Sequence, residues 1–334
     1  MEFLLIARDN LLSPMVLCFV LGLGAALVRS ELSVPEAAAR IMSIYLLFAI
    51  GFKGGVEVSR HGFGPDIAIA IALGIGLSLL MPLLAYAMMR RTTGLSVVDA
   101  AAAAGHYGSI SIVTFVAATQ ALDAAGLAYD GYMVAVAAAM EAPAIVIALW
   151  IVTRRREPVG QEPSDTTRRS RAATSAIPRE VFVNGSIILL CGAFVIGWAS
   201  GDRGYQAISG FIETPFKGVL CLFLLDMGLL AGRYLRDGIG QLGIPVIAVG
   251  FYMPLVGAAI AAPLATIAGL SVGSTALLTA LAASASYIAV PAALRIALPE
   301  ANPAIYLTLS LGLTFPFNLA IGIPIYIAVA QALN

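Results

Sequence analysis

Long apolar runs, separated by charged residues, glycine and proline, make up most of the chain. Ten of these runs are long enough to cross a membrane, near residues 11–28, 37–56, 66–89, 97–119, 131–152, 182–200, 214–233, 244–267, 272–295 and 303–331. A helix of about 20 apolar residues crosses the hydrocarbon core of a bilayer. Because lipid offers no partner for backbone N–H and C=O groups, each run is predicted to be helical. The pattern therefore predicts an all-α membrane protein with ten transmembrane helices, called spans one to ten below.

The composition supports this prediction and excludes several classes of protein. Of 334 residues, 60% are hydrophobic and only 11% are charged, whereas about 25% of the residues in a soluble domain are charged. Lys and Arg balance Asp and Glu at 19 each, so no net positive charge would attract nucleic acid. The three cysteines lie in apolar runs without a disulfide or metal-ligand pattern. Met1–Asn10 lacks the basic leader of a signal peptide, so we expect no cleaved signal peptide.

One polar segment predicts the orientation in the membrane. Arg154–Arg179 contains seven arginines among proline, serine, threonine and glutamate residues. Cytoplasmic loops are enriched in Lys and Arg. We therefore place this linker in the cytoplasm, between residues 1–153 and 180–334. With five spans on each side of it, both termini lie outside, and the expected location is the bacterial inner membrane.

Four short motifs of the first half recur in the second half. The pairs are Gly94-Leu95-Ser96-Val97 with Gly269-Leu270-Ser271-Val272, Ser109-x-Ser111 with Ser284-x-Ser286, Met81-Pro82-Leu83 with Met253-Pro254-Leu255, and Ile50-Gly51-x-x-x-Gly55 with Met227-Gly228-x-x-x-Gly232. The first two pairs share a single offset of 175 residues. Because five spans is an odd number, a second copy must be inverted in the membrane. We therefore predict two inverted five-helix repeats, an arrangement typical of secondary transporters with the substrate near the midplane.

Polar residues concentrate in spans four and nine, where glycines and Pro291 predict interrupted helices. An interrupted helix offers N–H groups to an anion and, with hydroxyl groups, carbonyl oxygens to Na⁺. The predicted substrate contacts are His106, Ser109, Ser111, Ser284, Ser286 and Tyr287. The predicted Na⁺ contacts are Ser111, Thr114, Glu141 and Ser286. Alternatively, each serine hydroxyl bonds to its own helix, and His106 is a hydrogen-bonded packing residue.

Two further ionisable residues lie within predicted spans, where a charge is costly. We predict that Lys53 and Asp226 form a charge network that sets the electrostatic field at the site. Glu141 is another candidate partner for Lys53, and a purely structural ion pair is the alternative interpretation.

At these residues the chain resembles the sodium-dependent bicarbonate transporter family known from cyanobacteria. The resemblance is strongest in Gly105–Ser111, Met140–Pro143, Pro291–Pro303 and Ile321–Pro324. It implies a core domain that moves against a gate domain and uptake of a small anion, with bicarbonate favoured. Na⁺ would be the coupling ion, without an organic cofactor or another metal. The resemblance also implies a homotrimer and, in cyanobacterial members, a PII-like regulator at the cytoplasmic face.

Span nine departs from the cyanobacterial pattern. Tyr287 stands where that pattern has an aspartate, and Ala289 and Val290 replace a Ser-Gly pair. Two alternatives therefore stay open, a transporter of an organic anion or an amine, and a membrane sensor that does not transport. An intramembrane hydrolase with His106 and Ser109 would need an orienting group and an oxyanion hole, which no motif supplies. We accordingly predict a transporter and not an enzyme.

Overall fold

The computed structural model describes residues 8, 10–62, 64–141, 143–155, 185–287, 290, 291, 294 and 298–334. Apart from Arg154 and Arg155, the predicted linker lies outside the described residues. The helices are α1 (Pro14–Leu27), α2 (Glu36–His61), α3 (Pro65–Thr92), α4 (Val97–Gly108), α5 (Ile112–Ala124), α6 (Met133–Glu141), α7 (Pro143–Arg155), α8 (Gly185–Ile212), α9 (Phe216–Gly238), α10 (Ile244–Ile267), α11 (Val272–Ala282) and α12 (Pro303–Leu333).

Seven helical stretches of the described chain are long and apolar enough to cross a membrane. They are α2, α3, α4 with α5, α6 with α7, α9 with the turn that follows it, α10 and α12. Two shorter apolar helices, α1 and α11, lie within predicted spans one and nine. The prediction of an all-helical chain is confirmed for the described residues, and these apolar helices support a membrane protein. The number of ten crossings stays a prediction.

The repeated Gly-Leu-Ser-Val motif marks the start of a helix in each half. Ser96 precedes α4, and its hydroxyl accepts the Asp99 N–H at 3.0 Å. Ser271 precedes α11, and its hydroxyl accepts the Ser274 N–H at 3.4 Å. A serine at this position satisfies one of the N–H groups that a helix leaves open. The motif therefore recurs because both helices begin with the same cap.

Four helices, α1, α2, α8 and α9, pack as two tight pairs, called the four-helix group below. A Cβ atom on Gly55 of α2 would lie 1.9 Å from the Phe194 carbonyl oxygen of α8. A Cβ atom on Gly228 of α9 would lie 2.1 Å from the Phe19 carbonyl oxygen of α1. Each repeated glycine motif thus allows two helix backbones to touch, as small residues do in membrane helix pairs.

Each of these two helix pairs combines one helix from each half of the chain, as expected if the two halves are related. The first helix of one half, α1, packs against the second helix of the other half, α9. The second helix of the first half, α2, packs against α8, the first helix of the second half. A twofold axis relating two inverted halves would exchange these two pairs. The inverted repeat itself stays a prediction.

The other helices, α3 to α7 and α10 to α12, form an eight-helix group. In it α4 packs against α3 and α7, and α11 packs against α10 and α12. Span ten is irregular, because α12 contains π-helical turns at Thr308–Thr314 and Asn318–Gly322. Such turns insert an extra residue and often lie at functional sites.

The tight α2–α8 contact can be tested with two glycine substitutions. We expect Gly55→Ala to lower the free energy of unfolding by about 1–3 kcal/mol, because the methyl group forces the backbones apart. Gly24→Ala on α1 is the control, since its Cβ atom would meet nothing within 4 Å and alanine favours the helix. The measurement is thermal unfolding of the purified protein in detergent. Equal unfolding temperatures for the two variants would contradict the contact.

Candidate functional site

The interrupted helix predicted in span four is confirmed. Helix α4 ends at Gly108 and α5 begins at Ile112, and the backbone between them is extended at Ser109 and Ser111. The Ser111 hydroxyl caps α5 by accepting the Thr114 N–H at 3.2 Å. The interruption thus places the N-terminal end of a 13-residue helix in the middle of the span, where its dipole favours negative charge.

Span nine is interrupted at the corresponding place. Helix α11 ends at Ala282, and residues 283–287 do not continue the helix. Of residues 288–297, only 290, 291 and 294 are described, so most of the predicted continuation of span nine lies outside the described residues.

The two interruptions cross and satisfy each other's backbone groups. The Ser111 N–H donates to the Ser284 hydroxyl at 2.9 Å. In the opposite direction, the Ser286 N–H donates to the His106 carbonyl oxygen at 2.8 Å. These bonds supply partners for polar groups that lipid would leave unsatisfied. The crossing is therefore a structural unit made of both broken helices.

His106 contributes its ring to this crossing. Its Nδ1 contacts the Ser286 carbonyl oxygen, and its ring stacks on Tyr306 with 4.8 Å between the centroids. A carbonyl oxygen only accepts, so we assign the proton to Nδ1. In the neutral ring, Nε2 is then an acceptor, and it is buried without a partner among the described residues.

Two more buried polar atoms near the crossing make no hydrogen bond of normal geometry in the described structure, the Thr114 hydroxyl oxygen and the Tyr287 hydroxyl oxygen, which lies near the Ser111 hydroxyl. Thr114 is 1% exposed and Tyr287 is 8% exposed. Most buried polar side-chain atoms in proteins have a partner. Such atoms therefore mark the crossing as a place where a ligand or an ion could complete the hydrogen bonding.

A cavity of about 10 Å³ lies at the crossing, which is room for about one water molecule. Residues of both helix groups line it: Ser43, Leu47, Ile110, Ser111, Ile112, Glu141, Leu190, Ser286 and Tyr287. Glu141 is 7% exposed, and within the described part of the chain no side chain pairs with its carboxylate. A buried carboxylate without a partner is costly. The cavity therefore combines a carboxyl group, hydroxyl groups and the start of α5.

The predicted serines divide into two kinds. The Ser109 hydroxyl donates to the Glu141 carbonyl oxygen at 3.1 Å, and the Ser284 hydroxyl donates to the Leu281 carbonyl oxygen at 2.8 Å. Neither Ser109 nor Ser284 lines the cavity, so both serve the fold of the crossing. Ser111 and Ser286 line the cavity.

Lys53 and Asp226 form no ion pair with each other. The Lys53 ammonium lies 3.4 Å from Glu213, and each side chain is nearly half exposed. A hydrogen bond from Tyr205 and the charge of Lys53 hold the pKa of the Glu213 carboxyl below its usual value. Asp226 is 7% exposed on α9 and does not line the cavity. The predicted charge network is therefore replaced by an exposed Lys53–Glu213 pair, which contributes little stability.

Sequence reasoning missed Ser43, on α2 of the four-helix group. Among the cavity-lining residues contributed by that group it carries the only hydroxyl, beside Leu47 and Leu190. Its signal in the sequence is one serine within an apolar run. The residues that line the cavity with Ser43 are mostly distant from it along the chain. The apolar pattern of the sequence therefore could not assign Ser43 to this cavity.

Because Ser284 holds the crossing and Ser286 lines the cavity, replacing each serine with alanine is predicted to change the stability of the protein by different amounts. Ser284→Ala removes the acceptor of the Ser111 N–H, and a buried unsatisfied donor costs about 1–3 kcal/mol. We expect Ser286→Ala to unfold at nearly the wild-type temperature, because Ser286 bonds to the first broken helix through its backbone N–H, which alanine keeps. Thermal unfolding of both variants in the same detergent tests this difference. If Ser286→Ala unfolded at a lower temperature than Ser284→Ala, the assignment of Ser284 to the fold and Ser286 to the cavity would be wrong.

The comparison with known protein families agrees with the resemblance seen in the sequence. Residues 14–331 match the family described as the Na⁺-dependent bicarbonate transporter superfamily. This match covers almost the whole chain, including both broken helices and the cavity. No curated protein matches the chain significantly. The chain belongs to the Na⁺-dependent bicarbonate transporter superfamily.

Proposed function

We propose that the chain is a secondary transporter that couples Na⁺ influx to uptake of a small anion, with bicarbonate as the favoured substrate. The observation that carries this proposal is the cavity at the crossing of the broken helices. It brings the Glu141 carboxylate, the hydroxyl groups of Ser111 and Ser286 and a helix N-terminus together in the interior of the protein.

The Na⁺ site is proposed at the carboxylate end of the cavity. Hard cations prefer oxygen ligands, and Ser111, Glu141 and Ser286 line one cavity. Thr114 follows Ser111 by one helical turn, and its hydroxyl oxygen is buried without a described partner. A bound Na⁺ would neutralise Glu141 and so reduce the cost of burying it.

The anion site is proposed at the beginning of α5. Ile110, Ser111 and Ile112 line the cavity there, and the positive end of the helix dipole favours an anion. The hydroxyls of Tyr287 and Ser286 would donate to the anion, while His106, Ser109 and Ser284 hold the crossing in place. Na⁺ and anion would then lie side by side and compensate each other's charge.

Transport requires this closed site to open to each side of the membrane in turn. The cavity is too small for an anion, and it lies between the four-helix group and the eight-helix group. We propose that the four-helix group is the gate domain and the eight-helix group the core domain of the family. Each net positive charge that moves inward gains about 2.3 kcal/mol per 100 mV.

The remaining parts of the proposal rest on the family and the arginine distribution. They are two inverted five-helix repeats, a bacterial inner-membrane location with both termini outside, a cytoplasmic linker at Arg154–Arg179, and a homotrimer. A PII-like regulator at the cytoplasmic face belongs to the same set. Crosslinking in native membranes and protease access to the linker test the trimer and the orientation.

A second candidate is uptake of a small organic anion. Four aliphatic side chains, Leu47, Ile110, Ile112 and Leu190, and the ring of Tyr287 line the cavity. This apolar wall would favour a substrate with a hydrocarbon part. Competition of organic anions and amines with labelled bicarbonate distinguishes the two substrates.

The first test is uptake of labelled bicarbonate by purified protein in liposomes. We expect an inward Na⁺ gradient to drive accumulation and an equal choline gradient to drive none, because the proposed site needs a small cation at Glu141. A membrane-potential clamp shows whether net charge moves. Equal uptake with Na⁺ and with choline would contradict Na⁺ coupling.

The role of Glu141 predicts the effect of removing its charge. Since affinity for a hard cation follows the charge of its ligands, we expect Glu141→Gln to raise the half-saturating Na⁺ concentration at least about tenfold. Glu31→Gln, at an exposed loop position, removes one carboxylate away from the cavity and is the control. An unchanged Na⁺ dependence in Glu141→Gln would exclude Glu141 as a Na⁺ ligand.

A further inference from the structure

An amide side chain from span ten holds the interruption of the second broken helix. The Asn318 side-chain nitrogen donates to the Ala283 carbonyl oxygen at 2.9 Å, and Asn318 is completely buried. Ala283 is the first residue after α11, so its carbonyl lies where the helix stops. The next residue is Ser284, whose hydroxyl accepts the Ser111 N–H. Asn318 therefore bonds to the residue next to the one that joins the two broken helices.

A second buried side chain fixes the orientation of this amide. The Tyr326 hydroxyl donates to the Asn318 side-chain oxygen at 2.6 Å, and Tyr326 is 1% exposed. Gly322 leaves room for the pair, because a Cβ atom there would lie 2.6 Å from that oxygen. The π-helical turn Asn318–Gly322 thus contains an amide whose donor and acceptor atoms are both engaged.

A side-chain hydrogen bond to a backbone carbonyl group holds each interruption in place. The two bonds differ in which side chain they leave free to bind a ligand. In the first half, the Ser109 hydroxyl donates to the backbone carbonyl of Glu141 at 3.1 Å. The Glu141 side chain stays free to line the cavity. In the second half, the Asn318 side chain itself makes the bond. The Glu141 side chain can therefore serve a ligand, whereas both polar atoms of the Asn318 side chain already bond to the protein.

We propose that Asn318 is a positioning residue for the transport site, acting through the Ala283 carbonyl. It fixes the chain at Ala283, so that Ser284 meets the Ser111 N–H and Ser286 lines the cavity. Tyr326 supports it by orienting the amide. This inference rests on the proposed function, because the geometry that Asn318 fixes is that of the proposed Na⁺ and anion site.

The test measures Na⁺ dependence of bicarbonate uptake in three span-ten variants. Loss of a residue that supports a ligand typically costs 10–100-fold in ion affinity, so we expect Asn318→Ala to raise half-saturating Na⁺ at least about tenfold. Tyr326→Phe keeps the Asn318–Ala283 bond, and its effect should be smaller and in the same direction. Ser310→Ala is the matched control, since Ser310 is also completely buried, and in the described part of the chain its hydroxyl bonds only to the Tyr306 carbonyl oxygen of its own helix, at 2.7 Å.

A binding measurement separates positioning from general destabilisation. Na⁺ that binds the folded protein raises its unfolding temperature, and choline chloride is the ionic-strength control. We expect the Na⁺-induced rise to be lost in Asn318→Ala, reduced in Tyr326→Phe and retained in Ser310→Ala. If Asn318→Ala does not fold, Tyr326→Phe decides, and an unchanged Na⁺ dependence in it overturns the proposal.

The possible failures are distinguishable. Wild-type Na⁺ affinity in a folded Asn318→Ala variant overturns the positioning role, while the proposed function stands. An equal loss of Na⁺ affinity in Ser310→Ala also overturns it, because any buried polar deletion in span ten would then suffice. If the wild-type chain itself shows neither Na⁺-driven uptake nor Na⁺-induced stabilisation, the proposed function fails and the positioning role fails with it.

Discussion

An interrupted helix inside a membrane depends on finding partners for the backbone groups that the interruption frees, because hydrocarbon supplies none. In this protein each interruption supplies them to the other. The Ser111 N–H bonds to the Ser284 hydroxyl, and the Ser286 N–H bonds to the His106 carbonyl oxygen. Neither broken helix would be stable at this depth alone. The cavity, the free end of α5 and the position of Glu141 all follow from this mutual dependence.

The sequence predicted the features that are encoded locally. Apolar runs gave the helices, and the repeated caps at Ser96 and Ser271 mark where two of them begin. The interruptions were predicted from the glycines of span four and from Pro291 in span nine. These features are predictable because capping and helix interruption depend on residues only a few positions apart. The family resemblance, confirmed over residues 14–331, joined them into one architecture.

Contacts between distant elements were not predictable in the same way. Nothing in the serine pattern shows that the Ser284 hydroxyl bonds to the backbone of Leu281 and Ser111 while Ser286 lines the cavity. The partner of Lys53 is Glu213, which lies between α8 and α9 and outside the spans that sequence reasoning searched for charges. Ser43 and Asn318 each reach a distant element across the packed interior. Such pairings depend on how helices pack, and one sequence carries no record of that packing.

The glycine contacts of the four-helix group constrain one of the two residues in each contact more than the other. Gly55 and Gly228 each face a backbone carbonyl oxygen, at Phe194 and Phe19. A carbonyl oxygen is present whatever side chain its residue carries. The contact therefore restricts substitution of the glycine. It does not restrict the side chain of the residue that supplies the carbonyl oxygen. Among relatives we expect invariant glycines opposite freely varying partners, so that covariation between positions would not reveal the tightest helix contacts of the protein.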